Sequence, residues 1–259
     1  MRRDRARTNP ALHNFAESRR PASKKNFANR LLDQTIVAAA EAKILKKRST
    51  LTAIDGSGFE SHHTSRYFVR RRAKGGPTKQ SMTYRRFSKV GLVCDCASHL
   101  ILAAVPGRGP SPDHPHLVDV MLAATTRRRI DTLLADAGYD GEWVHEFLRH
   151  ELNVRSIIPP TIGRPTDKPP RGHYRRQMRR YFQRPRDRRR YGQRWQVETV
   201  ISMIKRRLGE TLSTRGFRRQ NRAILLKVVT HNILILLRAV RFSTEQVRLT
   251  FSVGVTFSA

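Results

Sequence analysis

Three acids and one helix-forming stretch carry the residue types and spacing that could do chemistry in this chain. The stretch is Tyr191-Gly-Gln-Arg-Trp-Gln-Val-Glu-Thr-Val-Ile-Ser-Met-Ile-Lys205. A helix turns about 100° per residue, so with Tyr191 at zero, Arg194 falls at about 300°, Lys205 at about 320° and Glu198 at about 340°. These four polar side chains share one narrow stripe. Val197, Val200, Ile201, Ile204 and Leu208 fall between about 180° and about 280° and form an apolar face beside it. One carboxylate between cations suits a site that holds a metal ion and a phosphate together. The same pattern also fits an amphipathic surface helix with one ion-paired Glu.

The other two acids leave apolar runs. Leu51-Thr-Ala-Ile-Asp55-Gly-Ser-Gly reads as a buried strand that ends in an acid and a glycine turn. Asp131-Thr-Leu-Leu-Ala-Asp136-Ala-Gly-Tyr-Asp140 repeats that grammar. An acid at a strand exit points into the crevice beyond the sheet, where binding sites form. A plain turn role, with Gly56 and Gly58 supplying the turn, fits Asp55 equally well. Asp136 follows its apolar run directly, whereas Asp140 is expected to cap the next helix. Converging carboxylates bind two divalent cations and drive in-line attack on a phosphodiester. Hard oxygen ligands suit Mg²⁺ or Mn²⁺. Asp95, on a hairpin between Cys94 and Cys96, is expected to be structural.

The elements that must position these acids can be read from periodicity. A helix is expected within 23–47, where Phe27, Leu31, Leu32, Ile36 and Val37 recur at helical spacing. The strand ending at Asp55 follows. Residues 60–89 read as a basic loop in which Arg66, Arg70, Arg71 and Arg72 could meet phosphates, with His62 and His63 on the surface or facing DNA. A hairpin from Lys89 to Pro106, a helix over 116–126, a helix from Gly141 to His150 and a strand at Val154 come next. Residues 161–190 are low in apolar content and crowded with Arg, and read as a short basic insertion ahead of the helix bearing Glu198. A strongly apolar helix is expected over 220–240. Its most apolar run, Val228 to Leu237, is too short for a membrane span. Strands and helices in this order imply a mixed α/β layer fold.

Composition bears on partners. Lys+Arg is 52 against 20 for Asp+Glu, a formal net charge of +32 over 259 residues. Such self-repulsion calls for a polyanion, and the basic residues are spread through globular sequence rather than gathered into a membrane anchor. Nucleic acid is therefore the expected partner, and no membrane. The two cysteines, Cys94 and Cys96, are expected to be ordinary thiols that do not pair with each other. The N-terminus lacks the apolar core of a signal peptide. A reducing cytoplasmic, nucleoid-associated setting is expected.

With the motifs assembled, the chain resembles the DDE transposases of bacterial insertion sequences. Tyr191, Arg194, Glu198 and Lys205 match their Tyr-x2-Arg-x3-Glu-x6-Lys signature at every spacing. Ala53-Ile-Asp55-Gly-Ser-Gly, Ala135-Asp136-Ala-Gly-Tyr139-Asp140 and Leu226-Lys-Val-Val-Thr-His-Asn232 extend the resemblance over roughly residues 25–240. It implies a ribonuclease-H-like mixed sheet flanked by helices. Residues 1–22 would be a flexible basic segment, 23–243 the catalytic domain with its 161–190 insertion, and 244–259 a tail. It further implies Asp55, Asp136 and Glu198 as catalytic ligands of, in all, two Mg²⁺ or Mn²⁺ ions. Arg194, Lys205 and, more loosely, Tyr191 would contact DNA phosphates. The implied activity is cleavage at element ends and strand transfer into target DNA by a homodimer. Two alternatives stay open: a nuclease of the same fold without strand transfer, and a basic DNA-binding remnant. Such transposases usually carry a longer N-terminal region for end recognition, so this chain reads as a compact or truncated form.

Overall fold

The computed structural model describes residues 27–62, 68–72, 81–111, 114–161 and 170–254. The expected flexible segment 1–22 and Arg66 lie outside them. Helix α1 (Phe27–Glu41) is followed by strands β1 (Arg48–Ser49), β2 (Thr52–Ser61), β3 (Phe68–Arg72), β4 (Ser81–Arg85), β5 (Phe87–Asp95) and β6 (Ile101–Gly109). Helix α2 (His114–Arg127), β7 (Arg129–Ile130) and β8 (Thr132–Leu134) come next, then a 3₁₀ turn over Ala137–Tyr139. Helix α3 (Glu142–Glu146) runs on as a π-helical stretch over Phe147–Glu151 and leads to β9 (Arg155–Ile157). Helices α4 (His173–Tyr181), α5 (Pro185–Gly192) and α6 (Trp195–Leu208), strand β10 (Thr211–Leu212) and helix α7 (Phe217–Gly254) complete the chain.

The main sheet runs β6-β5-β2-β8-β9, with β10 pairing with β2. β2, β5 and β6 are antiparallel neighbours, whereas β8 and β9 join in parallel. Side chains alternate across a strand, so each strand serves two cores. Ile54, Val93, Leu133 and Ala135 face one core with Leu117 and Met121 of α2 and Val144 of α3. Ala53, Leu92, Cys94 and Leu134 face the other with Val197, Val200 and Ile204 of α6 and Ile224 and Val228 of α7. The expected apolar stripe is thus the buried face of α6, although Ile201 and Leu208 are only half-buried. The single helix expected from Tyr191 to Lys205 is broken, however: Tyr191 belongs to α5, and Gln193 and Arg194 form the turn that precedes α6. Both cysteines are buried free thiols, and burial pushes the Cys96 thiol up to about 12. Asp95 closes the β5–β6 turn by accepting the Ser98 N–H and hydroxyl at 2.8 and 2.7 Å.

Several expectations need correcting. The loop expected over 60–89 contains the end of β2 and the β3–β4 pair, in which Arg70 stands opposite Thr83. Arginine-rich runs carry no apolar alternation, so pairing there has no sequence signal. The insertion 161–190 holds α4 and most of α5, anchored by buried Met178 and Tyr181. The boundary expected between 243 and 244 falls inside α7. Residues 217–240 of that helix are long and apolar enough to cross a membrane, so the length argument against a span does not hold. The helix is laid on the sheet by polar contacts instead. Asn232 accepts the Ile101 N–H at 2.9 Å and donates to the Ile101 carbonyl at 3.0 Å, while His231 Nε2 meets the His99 carbonyl at 3.0 Å.

His145, fully buried on α3, has its Nδ1 2.7 Å from the Ser156 hydroxyl. Burial first, then the charge of Arg149, lowers its pKa to about 4 against the pull of Asp140 and Glu142. The unfolded chain therefore takes up a proton here before the folded protein does. The stability held above the ordinary histidine value of about 6.5 is lost as pH falls toward 4, by up to ~3 kcal/mol. Urea midpoints measured at pH 7 and pH 4.5 should fall less in a His145→Gln variant than in the parent; equal falls would assign the acid loss to other groups.

Candidate active site

Asp55 is not at a strand exit as expected: it is the fourth residue of the ten-residue β2, and Gly56 and Gly58 continue that strand, paired with β5, instead of turning the chain. The two strand acids are related by register. β2 and β8 pair Thr52 with Leu133 and Ala53 with Leu134. The pairing ends at Leu134; continued two residues beyond it, the same register would align Asp136 with Asp55, at the spacing of neighbouring strands of about 4.8 Å. Alternation gives both acids the face of Ala53 and Leu134, which is the face that α6 covers. Helix α6 supplies the third acid. Lys205 Nζ lies 5.7 Å from the centroid of the Phe59 ring on β2. Glu198, seven helical residues back, is about 10 Å toward the start of the helix. Asp55, four strand residues before Phe59, is about 13 Å toward the start of β2. Gln196 reaches the His99 ring at the β5–β6 turn, so helix and strand run the same way and Glu198 comes level with Asp55.

The electrostatics agree with this placement. Burial works to lower the Arg194 pKa, but its hydrogen bond to Glu198 and the nearby charges of Tyr191, Glu198 and Asp55 raise it above its usual value. Arg194 Nη2 donates to Glu198 Oε1 at 2.5 Å. Burial raises the Tyr191 phenol, Arg194 opposes this, and Asp136 and Glu198 add to it. Arg194 therefore sits in the field of Glu198 and Asp55, and Tyr191 in that of Asp136 and Glu198. Asp55 Oδ1 accepts the Gly56 N–H at 2.7 Å.

Asp136 is differently placed. Its Oδ1 is buried and accepts no hydrogen bond from the described residues. Gly138 makes room for it, since a Cβ there would stand 2.9 Å from that oxygen. A buried carboxylate oxygen without a donor is costly, and a bound cation is one thing that would satisfy it. In that respect the residues fit a divalent ion. Among the described residues, however, no three His, Cys, Asp or Glu side chains are grouped to hold a metal. The Glu198 carboxylate is engaged by Arg194, and its side chain is half exposed.

Sequence reading left Trp195 unassigned. It is 51% exposed one position after Arg194 and less than one turn from Glu198. Its signal was its wheel position, opposite the apolar face. Arg70 lies on β3, in a two-stranded sheet separate from the one that carries the acids.

A family model described as the transposase DDE domain matches residues 46–233. The chain belongs to the DDE transposase family. The match takes in Asp55 on β2, Asp136 just beyond β8 and the whole of α6. No curated protein matches the sequence. Among solved structures, this transposase chain is similar to a piggyBac transposase synaptic complex with hairpin DNA, with 12% identity and a TM-score of 0.46. That alignment covers 75% of this chain and 48% of the piggyBac chain, so the chain spans about half the length of that relative. A Mos1 mariner paired end complex with Mn aligns at 11% identity and a TM-score of 0.28, covering 89% of this chain and 70% of the other.

Proposed function

We propose that this chain is the transposase of a bacterial insertion sequence, which nicks DNA at the ends of its element and joins the freed 3′-hydroxyls to target DNA. One observation supports the reading: Asp55 lies on β2 and Asp136 just beyond its parallel partner β8, and Arg194 and Tyr191, just ahead of α6, count Asp55, Asp136 and Glu198 among their electrostatic neighbours. The strand order, with three antiparallel strands followed by two parallel ones, supports a ribonuclease-H-like catalytic domain within 23–243. The +32 charge supports double-stranded DNA as substrate. Two copies acting on two element ends, in the cytoplasm at the nucleoid, belong to the same proposal and rest on the resemblance alone.

Asp55, Asp136 and Glu198 would hold Mg²⁺ or Mn²⁺, two ions in all. When bound, these supply a lowered pKa for the attacking water or 3′-hydroxyl and a clamp on the leaving oxygen. Arg194 then turns from Glu198 to a DNA phosphate, exchanging one anion for another. Tyr191 offers its hydroxyl beside it. Lys205 is a point charge further along the same stripe, and Trp195 provides an aromatic face for a base. Arg66 and Arg70 would meet DNA phosphates.

The experiment is to incubate the purified chain with a plasmid that carries its gene and flanking genomic DNA, in Mg²⁺ and in Mn²⁺. Nicked ends joined to a second plasmid are the expected result. Nicks without joined products would leave a nuclease, and binding without nicks would leave a DNA-binding remnant. Lys205→Ala should weaken DNA binding and lower the slope of log affinity against log salt by about one unit. An unchanged slope in a filter-binding titration would remove Lys205 from the phosphate contacts.

A further inference from the structure

Four residues beyond Asp136, the chain spends two more acids on a contact that has no evident need of DNA. The Asp140 side chain is fully buried and pairs with Arg175 of α4. Arg175 Nε donates at 3.0 and 2.9 Å to the two carboxylate oxygens, and Nη2 donates at 2.6 Å. Asp140 Oδ2 also accepts the Thr161 N–H at 2.7 Å, and the Thr161 hydroxyl donates to the Ala137 carbonyl at 2.9 Å. The expected role of Asp140 as a helix cap is thus replaced, since the cap of α3 is Gly141 without a side-chain bond.

Glu142 completes the contact. Its Oε1 accepts the Tyr174 N–H at 2.8 Å and its Oε2 accepts the Arg175 N–H at 3.1 Å. These are first-turn donors of α4, a helix with no acid in its first turn and a cap glycine, Gly172, that offers no side chain. Glu142 therefore caps α4 from a distant part of the chain. Gly172, at φ +98°, allows the approach: a Cβ there would lie 2.2 Å from Glu142 Oε2. On the other side, Arg149 stacks over the Tyr174 ring at 4.8 Å and the Tyr174 hydroxyl meets His150 Nε2 at 2.9 Å.

A buried ion pair is weak support for stability, and its best-attested use is to fix one register. Here the register joins the Asp136 loop to α4. The 3₁₀ turn Ala137–Tyr139, closed by the Asp136 carbonyl on the Tyr139 N–H at 3.1 Å, is all that separates Asp136 from Asp140. Helix α4 in turn exposes Arg176, Arg179 and Arg180. We infer that Asp140, Glu142 and Arg175 are positioning residues for Asp136: they clasp the basic helix α4 to the Asp136 loop and so hold its Oδ1, which accepts no hydrogen bond from the described residues, in place for a divalent cation. This rests on the reading of Asp136 as a metal ligand. Arg175 is accordingly committed to the clasp and not to phosphate.

The test is Mn²⁺ binding to the full-length chain, read from the electron paramagnetic resonance signal of free Mn²⁺. DNA affinity without metal is measured in parallel by fluorescence anisotropy. Asp140→Asn and Arg175→Lys should each weaken Mn²⁺ binding about 10–100-fold, the range for outer-shell partners of a metal ligand. DNA affinity and its salt slope should stay within about twofold. The double variant should be no weaker for Mn²⁺ than the worse single one, because both act through one contact. Arg175→Lys keeps a cation beside Asp140, so it decides the matter if Asp140→Asn fails to fold. Normal Mn²⁺ binding by Arg175→Lys, with binding lost in Asp136→Asn, would overturn the clasp alone. Normal binding by Asp136→Asn itself would instead overturn the metal-ligand reading on which the clasp rests.

Discussion

Glu198→Gln should abolish nicking while leaving DNA binding intact. The substitution keeps the length and shape of the side chain and removes one negative charge from the ligand set. If the carboxylate helps to clamp the cations that stabilise both the attacking and the leaving oxygen, the loss should be at least ~10³-fold, or about 4 kcal/mol of barrier. Binding should not suffer. Arg194 Nη2 then faces a neutral amide oxygen in place of the carboxylate, is held less strongly and is freer to meet phosphate, and the site becomes one charge more positive. Stability should hardly move, because a half-exposed pair within one helix is worth well under ~1 kcal/mol. Plasmid nicking in Mn²⁺ and anisotropy with labelled duplex separate the two effects. Equal loss of nicking and binding would make Glu198 a structural residue, and retained nicking would remove it from the ligands.

How much of this site could be read in the sequence follows from how local each signal is. The apolar runs ahead of Asp55 and Asp136 announce buried strands, and the 3.6-residue period of Val197, Val200 and Ile204 announces the face that α6 buries. Those short-range patterns were enough to name three acids. The register that would align Asp55 with Asp136 joins strands about 80 positions apart and has no local signature. The same holds for Asn232, which reaches Ile101 across 131 positions, and for Glu142, which caps α4 across 32. Helices α4 and α5 escaped because their anchors are few: Met178 and Tyr181 are the buried residues of α4, set among arginines. Asp140 was misplaced for a related reason. A short acid just before a helix is usually its cap, and only the tertiary partner Arg175 draws it elsewhere.

The second large effect concerns Asp136, where function and stability should move in opposite directions. Asp136→Asn should eliminate nicking, by at least ~10³-fold on the same two-cation argument. In the metal-free protein the same change should raise stability. Asp136 carries a buried oxygen that accepts no hydrogen bond from the described residues, and the strand register, continued beyond Leu134, would align it with a second acid, Asp55. An amide removes the like charge and supplies a donor that can turn toward Asp55. A gain of about 1 kcal/mol is expected, or roughly 2–4 °C in melting temperature for a chain of this size. Adding Mn²⁺ should then reverse the order, because only the parent gains stability from a ligand that binds the folded state. Melting curves of both proteins with EDTA and with Mn²⁺ provide the check. A variant less stable than the parent in EDTA would mean that the Asp136 carboxylate is held by the fold for structure, and the cost assigned to its unsatisfied buried oxygen would have no place there.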